Sequence, residues 1–108
     1  MLPPLEVDLD TFASALAAGA PVVDVRQPDE YDAAHVPGAR LIPLGELMAR
    51  QAEIPPADRL YVICASGGRS LQAAAALSEA GYRAVSVAGG TNGWVERGGV
   101  VATGPEPG

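Results

Sequence analysis

The sequence predicts an α/β protein built on a parallel sheet with helices on both of its faces. Its strand candidates, PVVDVR, LYVIC and AVSVAGG, are short, near-continuous apolar runs, as strands buried on both faces require. Segments with helical spacing lie between them, separated by glycine and proline signals. The 108 residues, 48% hydrophobic and 19% charged, suffice for one core but not two, so residues 1–108 are read as a single domain.

Residues 5–8 read as a short first strand. LDTFASALAAG follows with an apolar stripe at Leu9, Phe12, Ala13 and Leu16 and a stop at Gly19, which predicts the first helix. PVVDVR, rich in β-branched residues, is the second strand, and Pro28 opens a brief helix over the acidic DEYDAA. HVPGA carries a Pro-Gly turn signal. ARLIPL is a third strand, leading to an amphipathic segment, GELMARQAE, in which Leu47 and Met48 are expected to face inward. LYVIC, the fourth strand, flows into SGGRS and then SLQAAAALSEAG, an Ala-rich helix with Gly81 at its C′ position. AVSVAGG is the fifth strand and TNGWVERGG a last short helix with Trp94 packed inward. VATGPEPG reads as a frayed tail, leaving an ordered core of about residues 5–101.

Charge narrows the function classes. A net charge of −6 repels phosphate backbones and anionic headgroups, so neither nucleic acid nor a membrane surface is an expected partner. No run approaches the roughly 20 apolar residues of a membrane span, and MLPPLEVDLD lacks the basic flank and apolar stretch of a signal peptide; a cytoplasmic location is expected. A single cysteine excludes an internal disulfide, and one Cys with one His makes a poor zinc set, so no metal is expected. All seven cationic side chains are arginine.

In parallel sheets ligands bind beyond the carboxyl ends of the strands, and the fourth strand ends on Cys64. The following Ala65, Ser66, Gly67, Gly68 and Arg69 are small or permissive up to the arginine. Two glycines let the loop curl until its amides converge on one point, an anion-binding nest in which the sulfur sits. The start of the next helix and the charge of Arg69 should further favour thiolate over thiol, making Cys64 a nucleophile. Most free cysteines are inert packing, but a packing cysteine needs no Gly-Gly-Arg loop and helix start after it.

CASGGRS resembles the active-site loop of the rhodanese family, in which a cysteine, four loop residues and a frequent arginine precede a helix. DVRQPDEYDAAHVPGA resembles the first signature of that family, and VAGGTNGW resembles its C-terminal Gly-Gly, Gly-Trp segment. The three occur in the family's order and span nearly the whole chain. The resemblance implies a rhodanese-like three-layer α/β/α sandwich around a five-stranded parallel sheet. It also implies sulfur transfer through a Cys64 persulfide without metal or organic cofactor. Implied donors are thiosulfate, polysulfide and persulfides; implied acceptors are thiols, cyanide, or a sulfur-carrier or redox protein. The amides of Ala65, Ser66, Gly67, Gly68, Arg69 and Ser70 would hold the terminal sulfur's charge, and Arg69 would orient an anionic donor.

Other polar residues read as scaffold. His35 lies in the HVPGA turn, Asp24 and Arg26 are expected to pair with each other or with backbone, and Asp29, Glu30 and Asp32 read as a dipole-matched helix surface. The resemblance leaves two further functions: a sulfur-relay or regulatory module with little turnover, as rhodanese-like domains also form, and a phosphatase of the dual-specificity type, which shares the fold. Phosphatases of that type have five residues between Cys and Arg. The four found here form a cradle better sized for one sulfur atom than for a phosphate ester.

Overall fold

The computed structural model describes residues 5–108. Five strands, β1 (Glu6–Val7), β2 (Val22–Asp24), β3 (Arg40–Leu41), β4 (Leu60–Ile63) and β5 (Ala84–Val87), alternate with helices α1 (Leu9–Ala17), α2 (Pro28–Ala33), α3 (Gly68–Glu79) and α4 (Gly90–Glu96). All strand pairs are parallel, and the spatial order is β1-β5-β4-β2-β3. The five expected strands and four of the expected helical segments are therefore present.

Local chemistry sets the boundaries. Asp8 accepts a hydrogen bond from the Thr11 amide at 2.8 Å and caps α1. Pro28 occupies the first turn of α2, while the Glu30 carboxylate reaches back to the Gln27 amide at 3.0 Å. Gly81, at φ +100°, terminates α3 in the left-handed region, as the sequence predicts.

Alternation along the buried strands divides the core between two faces. Val23, Val25, Leu60, Val62 and Cys64 pack with Ala73, Ala74 and Leu77 of α3. Val22, Tyr61, Ile63, Val85 and Val87 pack with Phe12 of α1, Tyr31 of α2 and Trp94 of α4. This is the three-layer sandwich the sequence predicts. Trp94 is core as expected: its ring meets Phe12 edge-on at 5.4 Å and its Nε1 donates to the Val100 carbonyl at 2.8 Å.

Two expectations are overturned. Leu47 is buried but Met48 is 45% exposed. The segment winds as two short 3₁₀ turns, Leu44–Glu46 and Gln51–Glu53, so the α-helical spacing that placed both residues on one face does not apply. Nor is the tail frayed. Ala102 forms an antiparallel bridge with His35, with reciprocal bonds of 2.9 and 2.8 Å, and the Pro107 carbonyl accepts from the Gly38 amide at 2.8 Å. The tail thus supplies hydrogen-bond partners to backbone groups of the HVPGA turn.

Candidate active site

Cys64 directly follows β4, the central strand, and the chain then turns into α3. Its side chain is almost fully buried on the α3 face. The Gly67 amide donates to Sγ at 3.1 Å, and the thiol lies 3.3 Å from Ser70 Oγ. Burial pushes the thiol up, but the Ser70 hydroxyl and the amides of Ser70, Gly67 and Ser66 outweigh it and hold Cys64 below the ordinary cysteine value. Of the six expected amides, that of Gly67 makes the hydrogen bond to the sulfur.

Of the two loop glycines, one is conformationally required. Gly67 lies at φ +119°, a conformation costly for any side chain, and its turn brings the amide onto the sulfur. Gly68 has an ordinary helical backbone and open space where a Cβ would stand.

Arg69 is not a free charge beside the sulfur. Its guanidinium grips Glu30 through two nitrogens at 2.7 and 2.8 Å, a fork that joins α3 to α2. Glu30, read from sequence as helix surface, is instead a wall of the site. The Arg69 hydrogen bonds, with the Gln27 amide, lower its pKa to about 2. Its place in the acidic first turn of α2 reads as helix surface, and nothing local signals Arg69, 39 residues away.

Asp24 and Arg26 are scaffold, as expected. Arg26 Nε and NH2 bind the Asp24 carboxylate at 2.8–3.1 Å, and its remaining donors reach the carbonyls of Glu30 within α2 and of Ala34 at its C-cap. His35 is fully buried and stacks on Tyr31 at 3.6 Å; its ring nitrogens contact the carbonyls of Tyr31 and Pro107 at 2.8 and 3.1 Å. That is the structural role the sequence assigned to it. Asp29 and Asp32 make no side-chain hydrogen bond or ion pair within the described residues.

The VAGGTNGW segment braces the loop from behind. The amides of Thr91 and Asn92 donate to the carbonyls of Cys64 and Ala65 at 2.8 and 3.0 Å. Gly90, at φ +58°, lies so close that an added Cβ would stand 2.5 Å from the Ala65 oxygen and 2.6 Å from that of Cys64. Beside this brace a cleft of about 390 Å³ runs between α2 and α4, lined by Arg26, Glu30, Ala34, Thr91 and Asn92 among others. The buried Thr91 hydroxyl has no partner among the described residues. A serine pair was also invisible from sequence: Ser86 of β5 lies 2.7 Å from Ser70, and both are fully buried.

A strand-end thiol held by a loop amide, with a helix beginning over it and an Arg–carboxylate pair beside it, stands at the carboxyl edge of a parallel α/β sandwich. The rhodanese-like domain family model matches residues 8–97, and the chain belongs to that family. The thiosulfate sulfurtransferase PspE of Escherichia coli (strain K12) is 43% identical over 87 residues, covering 73% of this chain and 84% of that one. YrkF of Bacillus subtilis (strain 168) is 37% identical over 92 residues, 82% of this chain; the match spans half of YrkF. The crystal structure of a rhodanese-related protein from Thermoplasma volcanium superposes with a TM-score of 0.83 at 31% identity, covering 90% of this chain and 96% of that one. Among the described residues, no helix is long and apolar enough to cross a membrane.

Proposed function

We propose that this chain is a sulfurtransferase in which Cys64 carries a sulfane sulfur as a persulfide. The observation that carries the reading is the sulfur itself, seated 3.1 Å from the Gly67 amide and 3.3 Å from the Ser70 hydroxyl, with its thiolate favoured despite burial. The Cys64 thiolate attacks the outer sulfur of a donor. A new S–S bond forms, the donor's bond to that sulfur breaks, and sulfite or a thiolate leaves with the electron pair. A thiol or cyanide acceptor then attacks the outer sulfur and Cys64 departs as thiolate. The amides of Ser66, Gly67 and Ser70 are the groups placed to hold the negative charge in both steps.

Persulfides and polysulfides are better donors than thiosulfate in this reading. Both guanidiniums of the site are already paired, Arg26 with Asp24 and Arg69 with Glu30, so a dianion meets no free cation there. Residues 1–108 act as one cytoplasmic domain, with a small thiol, a sulfur-carrier protein or a redox protein as acceptor. Sulfur loading followed by intact mass measurement is the test. Thiosulfate or polysulfide should add one sulfur atom, removable by cyanide or thiol and absent in Cys64→Ser. An adduct that survives that substitution, or none with any donor, overturns the mechanism. Loading without steady-state turnover would favour the relay module over the enzyme.

A further inference from the structure

Ser86 belongs to none of the three sequence signatures, yet it is a fully buried hydroxyl in the middle of a strand. Register explains its placement. Ser86 is the partner of Val62 across β4 and β5, so the two-residue period puts its side chain on the α3 face, the face that Cys64 also uses. Ser70, in the first turn of α3, lies over both. Its Oγ is 3.3 Å from Cys64 Sγ, 2.7 Å from Ser86 Oγ and 3.2 Å from the Gly67 carbonyl.

We propose that Ser86 is a positioning residue for the nucleophile: through a two-hydroxyl chain it turns Ser70 into a hydrogen-bond donor to the Cys64 thiolate. The proposal rests on the reading of Cys64 as the nucleophile. Counting protons gives the reason. In the neutral site the thiol donates to Ser70 Oγ, and the Ser70 proton goes to Ser86 or to the Gly67 carbonyl. When the thiol proton leaves to solvent, the Ser70 proton swings to the sulfur, and Ser70 Oγ becomes an acceptor sealed from water. Ser86 is the hydroxyl that fills it, across the shortest link of the chain. The alternative acceptor for the Ser86 proton, the Gly67 carbonyl, is 3.5 Å away and already receives the Leu71 amide at 3.0 Å. The thiolate is therefore the state in which every group of the chain is well paired, and without Ser86 that state leaves a buried oxygen unsatisfied.

The charges around the sulfur do not supply this role. Arg69 of α3 is held by Glu30 of α2, and Asp24 at the end of β2 is held by Arg26. β5 and the first residues of α4 contribute no charged group.

The experiment is the rate of iodoacetamide alkylation of the full chain against pH, which needs no sulfur donor and is independent of the persulfide mechanism. Ser86→Ala should alkylate about five-fold more slowly on the acidic limb, the equivalent of one hydrogen bond, and match the unmodified protein on the high-pH plateau. Ser70→Ala should show a larger loss, and Ser70→Ala/Ser86→Ala should be no slower than Ser70→Ala alone, because Ser86 acts through Ser70. A Ser86→Ala profile that superimposes on that of the unmodified protein overturns the proposal. So do losses that add in the double variant, or a plateau that falls with the acidic limb. A shifted profile in a protein that accepts no sulfur would retain Ser86 and reject the sulfurtransferase instead.

Discussion

Replacing Gly90 with alanine tests whether the brace behind the loop controls the nucleophile. The position carries two separable costs. A side chain at φ +58° costs about 1 kcal/mol in the left-handed region. The new Cβ would also stand 2.5 Å from the Ala65 carbonyl oxygen, where ordinary contact begins at 3.4 Å, so the loop must retreat by 3.4 − 2.5 = 0.9 Å. Overpacking of this kind adds about 1–3 kcal/mol. The sum, about 2–4 kcal/mol, corresponds to a fall in Tm on the order of 10–20 °C for a chain of this size. Because the displaced atoms are the backbone of Cys64 and Ala65, sulfur transfer should fall about 100-fold, the cost of misplacing a reacting group by nearly 1 Å. Gly98→Ala is the control: its φ is +83° but nothing lies within 4 Å of its Cβ, so it should lose about 1 kcal/mol of stability and no activity. Thermal melting and kcat/KM with a persulfide donor read the two costs separately. Gly90→Ala protein that transfers sulfur within about three-fold of the unmodified chain, or Gly98→Ala protein that loses as much, would refute the brace.

Glu30→Gln keeps the helix cap but releases the Arg69 charge, so kcat/KM for thiosulfate should rise about five-fold, the scale of ~1 kcal/mol for a half-exposed ion pair, while the gain for a persulfide stays smaller. Added salt should erase the difference, and equal gains for both donors would remove Glu30 from donor selection. The pH dependence of stability gives an independent reading of the same pair. Glu30 is depressed from 4.5 to about 2, so its contribution is complete above pH 4.5 and is lost as pH falls through about 2; Glu30→Gln should lack that acid-side loss. Gly68→Ala, at a helical backbone position with open space, should raise stability by about 0.5–1 kcal/mol in thermal melts, and a lower Tm would show that the helix start needs this glycine.

The five strands, four of the helices, the position of Cys64 just after β4 and the turn of its loop were legible in the sequence, because these depend on signals a few residues long. Apolar runs such as LYVIC mark strands buried on both faces, and glycines such as Gly67 and Gly81 mark left-handed turns. It also identified His35, Asp24 and Arg26 as scaffold, since buried polar groups need near partners. The partners of the site were decided by tertiary structure. Strand order β1-β5-β4-β2-β3 sets β4 between β2 and β5, and this arrangement gives the Cys64 loop Glu30 from the helix after β2 and Ser86 from β5. Neither is near the loop in the chain, and each sits in a segment whose local pattern explains it differently, one as helix surface and the other as a strand residue. The same holds for the tail, whose glycines and prolines read as disorder until Pro107 meets His35 from 72 residues away. Short-range patterning fixes which element a residue belongs to. Which charge a guanidinium neutralises, and which hydroxyl faces a sulfur, depends on how the elements stack, and that is decided by the packing of the whole sheet.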